Sequence, residues 1–223
     1  MRVVLTRERG LNGSLVEWLP DDAVVTEVPL TTTRYLDAHE VRRALQASEF
    51  FGAFRVLVVT SARTALYVAL AREALVEGGS VVSVGAATAR ALESEDVEVD
   101  VVGDARAQDL APRINEGPVL LLGAATMRPE LATTLRAQGL LVTTLTCYET
   151  VPAELSDDER KELRDGDVVF IGAPSAWLVA KSIVGADSWV VVPGVTTAAV
   201  VRRDHDRVIE GWGPSLREYL RAL

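Results

Sequence analysis

Val81-Val82-Ser83-Val84-Gly85-Ala86-Ala87-Thr88-Ala89-Arg90-Ala91-Leu92 is the stretch that decides the fold. An apolar, β-branched run gives way at Gly85 to small residues, and these lead into a segment with helical spacing. The design returns as Val191-Val192-Pro193-Gly194-Val195-Thr196-Thr197-Ala198, with Gly194 in the place of Gly85 and Thr197 in the place of Thr88. Two further pairs extend the likeness. Val58-Val59-Thr60-Ser61-Ala62-Arg63 resembles Phe170-Ile171-Gly172-Ala173-Pro174-Ser175, and residues 101–114 resemble residues 209–223. Two similar α/β halves explain such a repeat better than one large sheet.

Outward from this stretch the alternation continues. Residues 3–5 precede a helical pattern over 11–19, and residues 55–59 precede one over 65–75. Residues 97–102, 119–122, 167–171, 189–192 and 208–209 are also followed by helical spacing, over 110–114, 131–135, 177–183, 198–201 and 214–223. Continuous Val/Ile/Leu runs bounded by turn residues predict strands buried on both faces. Their alternation with helices predicts parallel sheets of right-handed βαβ units. Residues 28–33 and 142–151 are extended, β-branched and marked by Pro29 and Pro152. They are suited to pair as a two-stranded ribbon. The predicted organisation is therefore a discontinuous domain, 1–29 plus 152–223, and an inserted domain, 36–143. Residues 30–35 and 144–151 are the linker strands.

Composition narrows the function. The chain has 223 residues, 48% of them hydrophobic and 25% charged, as in globular proteins. No apolar run reaches the roughly 18 residues of a membrane span. Residues 1–7 read as a first strand rather than a signal peptide, so the expected location is cytoplasmic. Cys147 is the single cysteine, and with His39 and His205 it makes a poor zinc set. The formal net charge is -9 and no Lys/Arg block occurs, which argues against nucleic acid. An anion site on such a chain has to be local, built from placed Arg side chains and backbone N–H groups.

The turns after the strands offer such a site. Thr60-Ser61-Ala62-Arg63, Gly85-Ala86-Ala87-Thr88, Gly123-Ala124-Ala125-Thr126, Gly172-Ala173-Pro174-Ser175 and Gly194-Val195-Thr196-Thr197 share one design. In a parallel sheet they lie at the carboxyl ends of strands, where doubly wound folds bind ligands. Each begins a helix, whose first N–H groups favour an anion. The plain alternative is that every such turn wants a cap and a small residue; the shared design of five favours an anionic ligand. Arg7, Arg63 and Arg128 follow strands or turns and are suited to hold carboxylates bidentately, although each also suits a solvated position. Tyr148 lies in the proposed ribbon, where it reads either as a half-buried aromatic or as a phenol donating into the site. Cys147 alternates to the other face, as packing. Trp18, Trp177 and Trp189 are assigned to the core and Trp212 is given no role. A G-x-G-x-x-G, a Walker loop and a nucleophile elbow are all missing from the sequence.

Taken in order, these pieces resemble the uroporphyrinogen-III synthase family. The match runs through Leu5-Thr6-Arg7, Val59-Thr60-Ser61-Ala62-Arg63-Thr64-Ala65 and Val84-Gly85-Ala86-Ala87-Thr88-Ala89. It continues through Gly123 and Arg128 to Gly139, Cys147-Tyr148-Glu149-Thr150, Ala173-Pro174-Ser175-Ala176 and Gly194-Val195-Thr196-Thr197-Ala198. The resemblance implies two parallel-sheet α/β domains of flavodoxin-like type, joined by a two-stranded β-ladder, with the active site between them. It implies a reaction without metal or organic cofactor. Linear hydroxymethylbilane is closed to uroporphyrinogen III with inversion of the terminal pyrrole ring, through azafulvene and spiro intermediates.

By the same resemblance Tyr148 assists departure of the hydroxyl. Thr6, Arg7, Ser61, Ala62, Arg63, Gly85, Thr88, Gly123, Arg128, Ala173, Pro174, Ser175, Thr196 and Thr197 bind or shape the substrate. The sequence departs from the family pattern at Glu8, where relatives often have Pro, and at Ala173, where they often have Ser. Several relatives carry Pro or Asn where Ala62 and Arg63 stand here. The expected partner is the small substrate alone, bound by a monomer and handed over from the preceding enzyme, with no nucleic acid or membrane involved. The competing reading is a non-catalytic two-domain sensor for a small polyanion, which has no need of Tyr148. A transferase acting on a nucleotide-linked substrate requires a glycine-rich phosphate loop, which the sequence lacks.

Overall fold

A computed structural model describes residues 1–104 and 107–222. Its strands are β1 (Arg2–Leu5), β2 (Val24–Glu27), β3 (Thr31–Tyr35), β4 (Phe54–Val59), β5 (Leu75–Ser83), β6 (Val101–Val102), β7 (Val119–Ala124), β8 (Val142–Pro152), β9 (Val168–Phe170), β10 (Trp189–Val192) and β11 (Val208–Glu210). Its helices are α1 (Gly13–Val16), α2 (Ala38–Gln46), α3 (Val68–Arg72), α4 (Ala86–Glu93), α5 (Ala107–Leu110), α6 (Glu130–Ala137), α7 (Asp157–Asp165), α8 (Pro174–Ala180), α9 (Val195–Val201) and α10 (Pro214–Arg221). Short 3₁₀ turns cover Ala62–Tyr67 and Ala111–Arg113.

The chain separates into two compact units, Met1–Thr32 with Val151–Leu223, and Thr33–Thr150. The first holds a five-stranded sheet in the order β11-β10-β9-β1-β2. All its pairings are parallel. Counted along the chain this is the 2-1-3-4-5 order of flavodoxin-like sheets. The second unit holds β3-β8-β7-β4-β5-β6, with β8 to β6 parallel. Counted from β7, these five strands again read 2-1-3-4-5. The chain is thus two successive copies of one five-strand motif that have exchanged their last three strands: β4 to β6 complete the sheet of β7 and β8, and β9 to β11 complete that of β1 and β2.

Strand alternation builds the cores. In the first unit Val3, Leu5, Val168, Phe170 and Val191 face one side, while Val4, Val169, Ile171, Val190 and Val192 face the other. In the second, Val56, Val58, Val119 and Leu121 oppose Leu57, Val59, Leu120 and Leu122. Burial of each such side chain is worth about 1.5–3 kcal/mol. A double-sided pattern of this kind fixes register, because a one-residue slip would exchange the two faces.

Some expectations need correction. The helical spacing over 11–19 yields only the short α1, because Gly13 and Pro20 leave little room for a longer helix. The 65–75 pattern ends in a 3₁₀ turn and α3, and Leu75 already opens β5. β2 has no counterpart among the expected strands. It is an edge strand with Val24 64% exposed, and it lacks the two-sided apolar signature. Residues 144–148 also belong to the second sheet, since β8 pairs with β7 from Val142 to Tyr148. Its far end meets β3. The Leu36 N–H donates to the Cys147 carbonyl and the Ala153 N–H to the Leu30 carbonyl, so the two strands run antiparallel. Arg34 and Glu149 pair across them.

Candidate active site

In each unit the expected site residues gather at the carboxyl ends of the strands. In the first unit these are Thr6 and Arg7 after β1, Ala173, Pro174 and Ser175 after β9, and Thr196 and Thr197 after β10. In the second they are Ser61, Ala62 and Arg63 after β4, and Gly85 and Thr88 after β5. Gly123 lies in β7, Arg128 follows it, and Tyr148 lies in β8.

The helix starts differ in a telling way. The 3₁₀ turn after β4 is capped by Ser61, whose Oγ accepts the Arg63 N–H at 3.3 Å. α7 has a full capping box between Ser156 and Glu159. By contrast α4 starts at Gly85, α8 at Ala173, α9 at Gly194 and α10 at Gly213, none with a side-chain cap. Bare helix starts leave N–H groups unpaired and partly positive, ready for carboxylates. Thr88 and Thr197 occupy the same third helical position in α4 and α9. Both are buried, at 7% and 4% exposure.

Tyr148 owes its placement to a β-bulge. Gly123 pairs with Thr146 but Ala124 pairs with Tyr148, so Cys147 is the extra residue. Alternation is broken, and Cys147 and Tyr148 both enter the same core cluster. The expected opposition of their faces is therefore corrected. Bulges commonly re-aim a side chain in this way beside a functional site. Burial pushes the Cys147 thiol up to about 12 despite a hydrogen bond to the Gly123 backbone, so it remains an unreactive packing group. Tyr148 is 7% exposed, with Tyr35 at 6.3 Å and the Arg63 guanidinium over its ring at 5.8 Å. Among the described residues its phenol has no hydrogen-bond partner.

Two expected contacts are committed to the frame instead. Thr6 is 2% exposed and its hydroxyl donates to the Phe170 carbonyl, tying β1 to β9. Gly123 is buried, and a Cβ there would lie 2.2 Å from Met127 Sδ and 2.6 Å from Thr60 Oγ1. It is a close-packing glycine, not an open turn. Arg128 is exposed. Arg7 lies over the indole of Trp212, with Cζ 4.6 Å from the ring centroid. Trp212 and Val195, the latter 72% exposed at the start of α9, are site-end residues that the sequence did not single out. A Trp between Gly211 and Gly213 was the available signal for the first.

The family model for uroporphyrinogen-III synthase HemD matches residues 21–210. The chain belongs to the uroporphyrinogen-III synthase family. Its fold is similar to that of uroporphyrinogen-III synthetase from Helicobacter pylori, at 16% identity and a TM-score of 0.66, covering 100% of this chain and 99% of that one. It is also similar to a mutant uroporphyrinogen III synthase from Thermus thermophilus, at 15% identity and a TM-score of 0.59, covering 100% and 96%. No match is found among the curated proteins. Membership of the family sets the activity as that of a lyase forming uroporphyrinogen III from a small-molecule substrate, hydroxymethylbilane. It does not favour the non-catalytic sensor. Among the described residues no helix is long and apolar enough to cross a membrane.

Proposed function

We propose that Tyr148 is the proton-donating group of this chain's uroporphyrinogen-III synthase reaction, and that backbone N–H groups and arginines hold the substrate. The carrying observation is the phenol itself: its ring is buried and gripped by Arg63 and Tyr35, while its hydroxyl has no partner among the described residues. A phenol whose ring is packed while its hydroxyl is neither buried without a partner nor spent on the described residues is available to substrate at a strand's carboxyl end.

In this reading the Tyr148 O–H donates to the terminal hydroxyl of hydroxymethylbilane as its C–O bond breaks. The electrons of the pyrrole nitrogen satisfy the carbon left behind, giving the azafulvene cation. The substituted carbon of the last ring attacks it, the spiro intermediate opens, and the ring recloses inverted. One water is lost overall, its hydroxyl from the terminal carbon and its proton from the closing pyrrole carbon. Spontaneous closure readily gives the uninverted ring, so the protein's task is to hold the chain folded, which is catalysis by orientation.

The substrate carries an acetate and a propionate on every ring. Arg7, Arg63 and Arg128 supply guanidinium partners. The starts at Gly85, Ala173 and Gly194 supply backbone donors, shaped by Ser61, Ala62, Pro174 and Ser175, with Thr88, Thr196 and Thr197 beside them. Thr6 and Gly123 keep the frame. The proposal includes a cytoplasmic monomer that needs no metal or organic cofactor, with residues 30–35 and 144–151 linking its domains. It receives the short-lived substrate directly from the preceding enzyme. Thermal unfolding tests the binding half. Uroporphyrinogen III should raise Tm, with a stabilisation of about 2.7 kcal/mol at a hundredfold over Kd, and ATP or NAD should not. Equal stabilisation by nucleotides contradicts the assignment.

A further inference from the structure

We propose that Trp212 is a positioning residue whose indole holds the Arg7 guanidinium ready for a substrate carboxylate. The proposal rests on the reading of Arg7 as a carboxylate ligand and adds what fixes it in place. Arg7 follows β1 and Trp212 follows β11, three strand positions away. At roughly 4.8 Å per spacing that is about 14 Å between strands. The side chains nevertheless meet, with Arg7 Cζ 4.6 Å from the indole centroid.

They meet beside Gly172, at the end of β9. A Cβ there would lie 3.8 Å from Arg7 Cγ, 3.9 Å from Nε and 4.0 Å from Trp212 Cη2. The indole also packs on Phe170, 5.9 Å between centroids, which is buried in β9. Gly211, at a φ of 102°, supplies the left-handed turn from which Trp212 springs. Trp212 Nε1 is buried without an acceptor, so the ring is retained by its faces. Native structures seldom carry such an orphan without a reason. Among the described residues no carboxylate pairs with Arg7. A guanidinium held over an indole keeps its N–H edge free for a carboxylate.

Steady-state kinetics with hydroxymethylbilane test this on the full chain. Arg7→Ala should raise KM about tenfold or more, through loss of a bidentate charge-assisted contact. Trp212→Leu should raise KM about fivefold, more than it lowers kcat, and Trp212→Phe should recover most of the loss. The double variant should be no worse than Arg7→Ala, because the indole acts through the arginine. An unchanged KM in Arg7→Ala removes the reading of Arg7, and the role of Trp212 with it. A raised KM in Arg7→Ala with none in Trp212→Leu, or effects that multiply in the double variant, overturns the role of Trp212 and leaves Arg7 standing. Should Trp212→Leu not fold, Trp212→Met decides. It fills the space without an aromatic face, so a KM raised above that of Trp212→Phe supports the proposal and a wild-type KM overturns it.

Discussion

Tyr148 reaches its place through one extra residue, the bulged Cys147, and its hydroxyl has no hydrogen-bond partner among the described residues. Tyr148→Phe keeps the ring and its contacts with Tyr35 and Arg63 but removes the proton. Turnover should fall about 10²-fold or more, in the range of general acid effects, while KM changes little. Unchanged turnover in a single-turnover assay rejects a chemical role for the phenol. Gly123→Ala should destabilise by about 1–3 kcal/mol, the usual cost of overpacking, because Met127 and Thr60 occupy the Cβ position. Gly172→Ala is its control. Its nearest neighbour stands at 3.8 Å, and urea unfolding should show a change within about 0.5 kcal/mol. At this scale residue identities are legible in the sequence but their availability is not. Thr6 reads as a donor yet spends its hydroxyl on Phe170, and Gly123 reads as an open turn yet is covered by Met127. Both facts depend on neighbours distant in the chain.

Among the elements, the bare starts of α4, α8 and α9 stand against the closed start of α7. The Glu159 carboxyl lies below the usual carboxylate range. The main cause is the Ser156 backbone N–H, and the Ser156 hydroxyl and Arg9 add to it against partial burial. A lowered folded-state value stabilises above the ordinary carboxylate range, near pH 4.3, and that stabilisation is lost as pH falls through the folded value. Glu159→Gln, which removes the titrating group, should therefore cost about 1 kcal/mol at neutral pH, with the gap from wild type narrowing below about pH 4. Urea unfolding at both pH values measures it, and a gap independent of pH contradicts the coupling. Helices and inner strands are legible because their apolar periodicity is strong. β2 is not, since an exposed edge needs no apolar face, and neither is the entry of Leu75 into β5, because a short apolar run fits helix or strand equally well.

At the scale of the whole molecule, the sequence repeat and the two sheets are the same fact seen twice. Val82–Ser83 in β5 and Val191–Val192 in β10 occupy the same position in the 2-1-3-4-5 order, and the turns that follow them carry Thr88 and Thr197. Likeness between segments is legible because glycine and threonine at a helix start are constrained by backbone chemistry. Which sheet each copy joins is legible only from the extended stretches 28–33 and 142–151, and not from the repeat itself, because exchanged and unexchanged pairings bury the same apolar faces. The central claim is that this duplicated frame closes hydroxymethylbilane with inversion. Its most direct test supplies fresh hydroxymethylbilane to the full chain, oxidises the products and separates the porphyrin isomers. A dominant type III isomer is the predicted result. Only type I, the spontaneous product, from protein shown to be folded would contradict it.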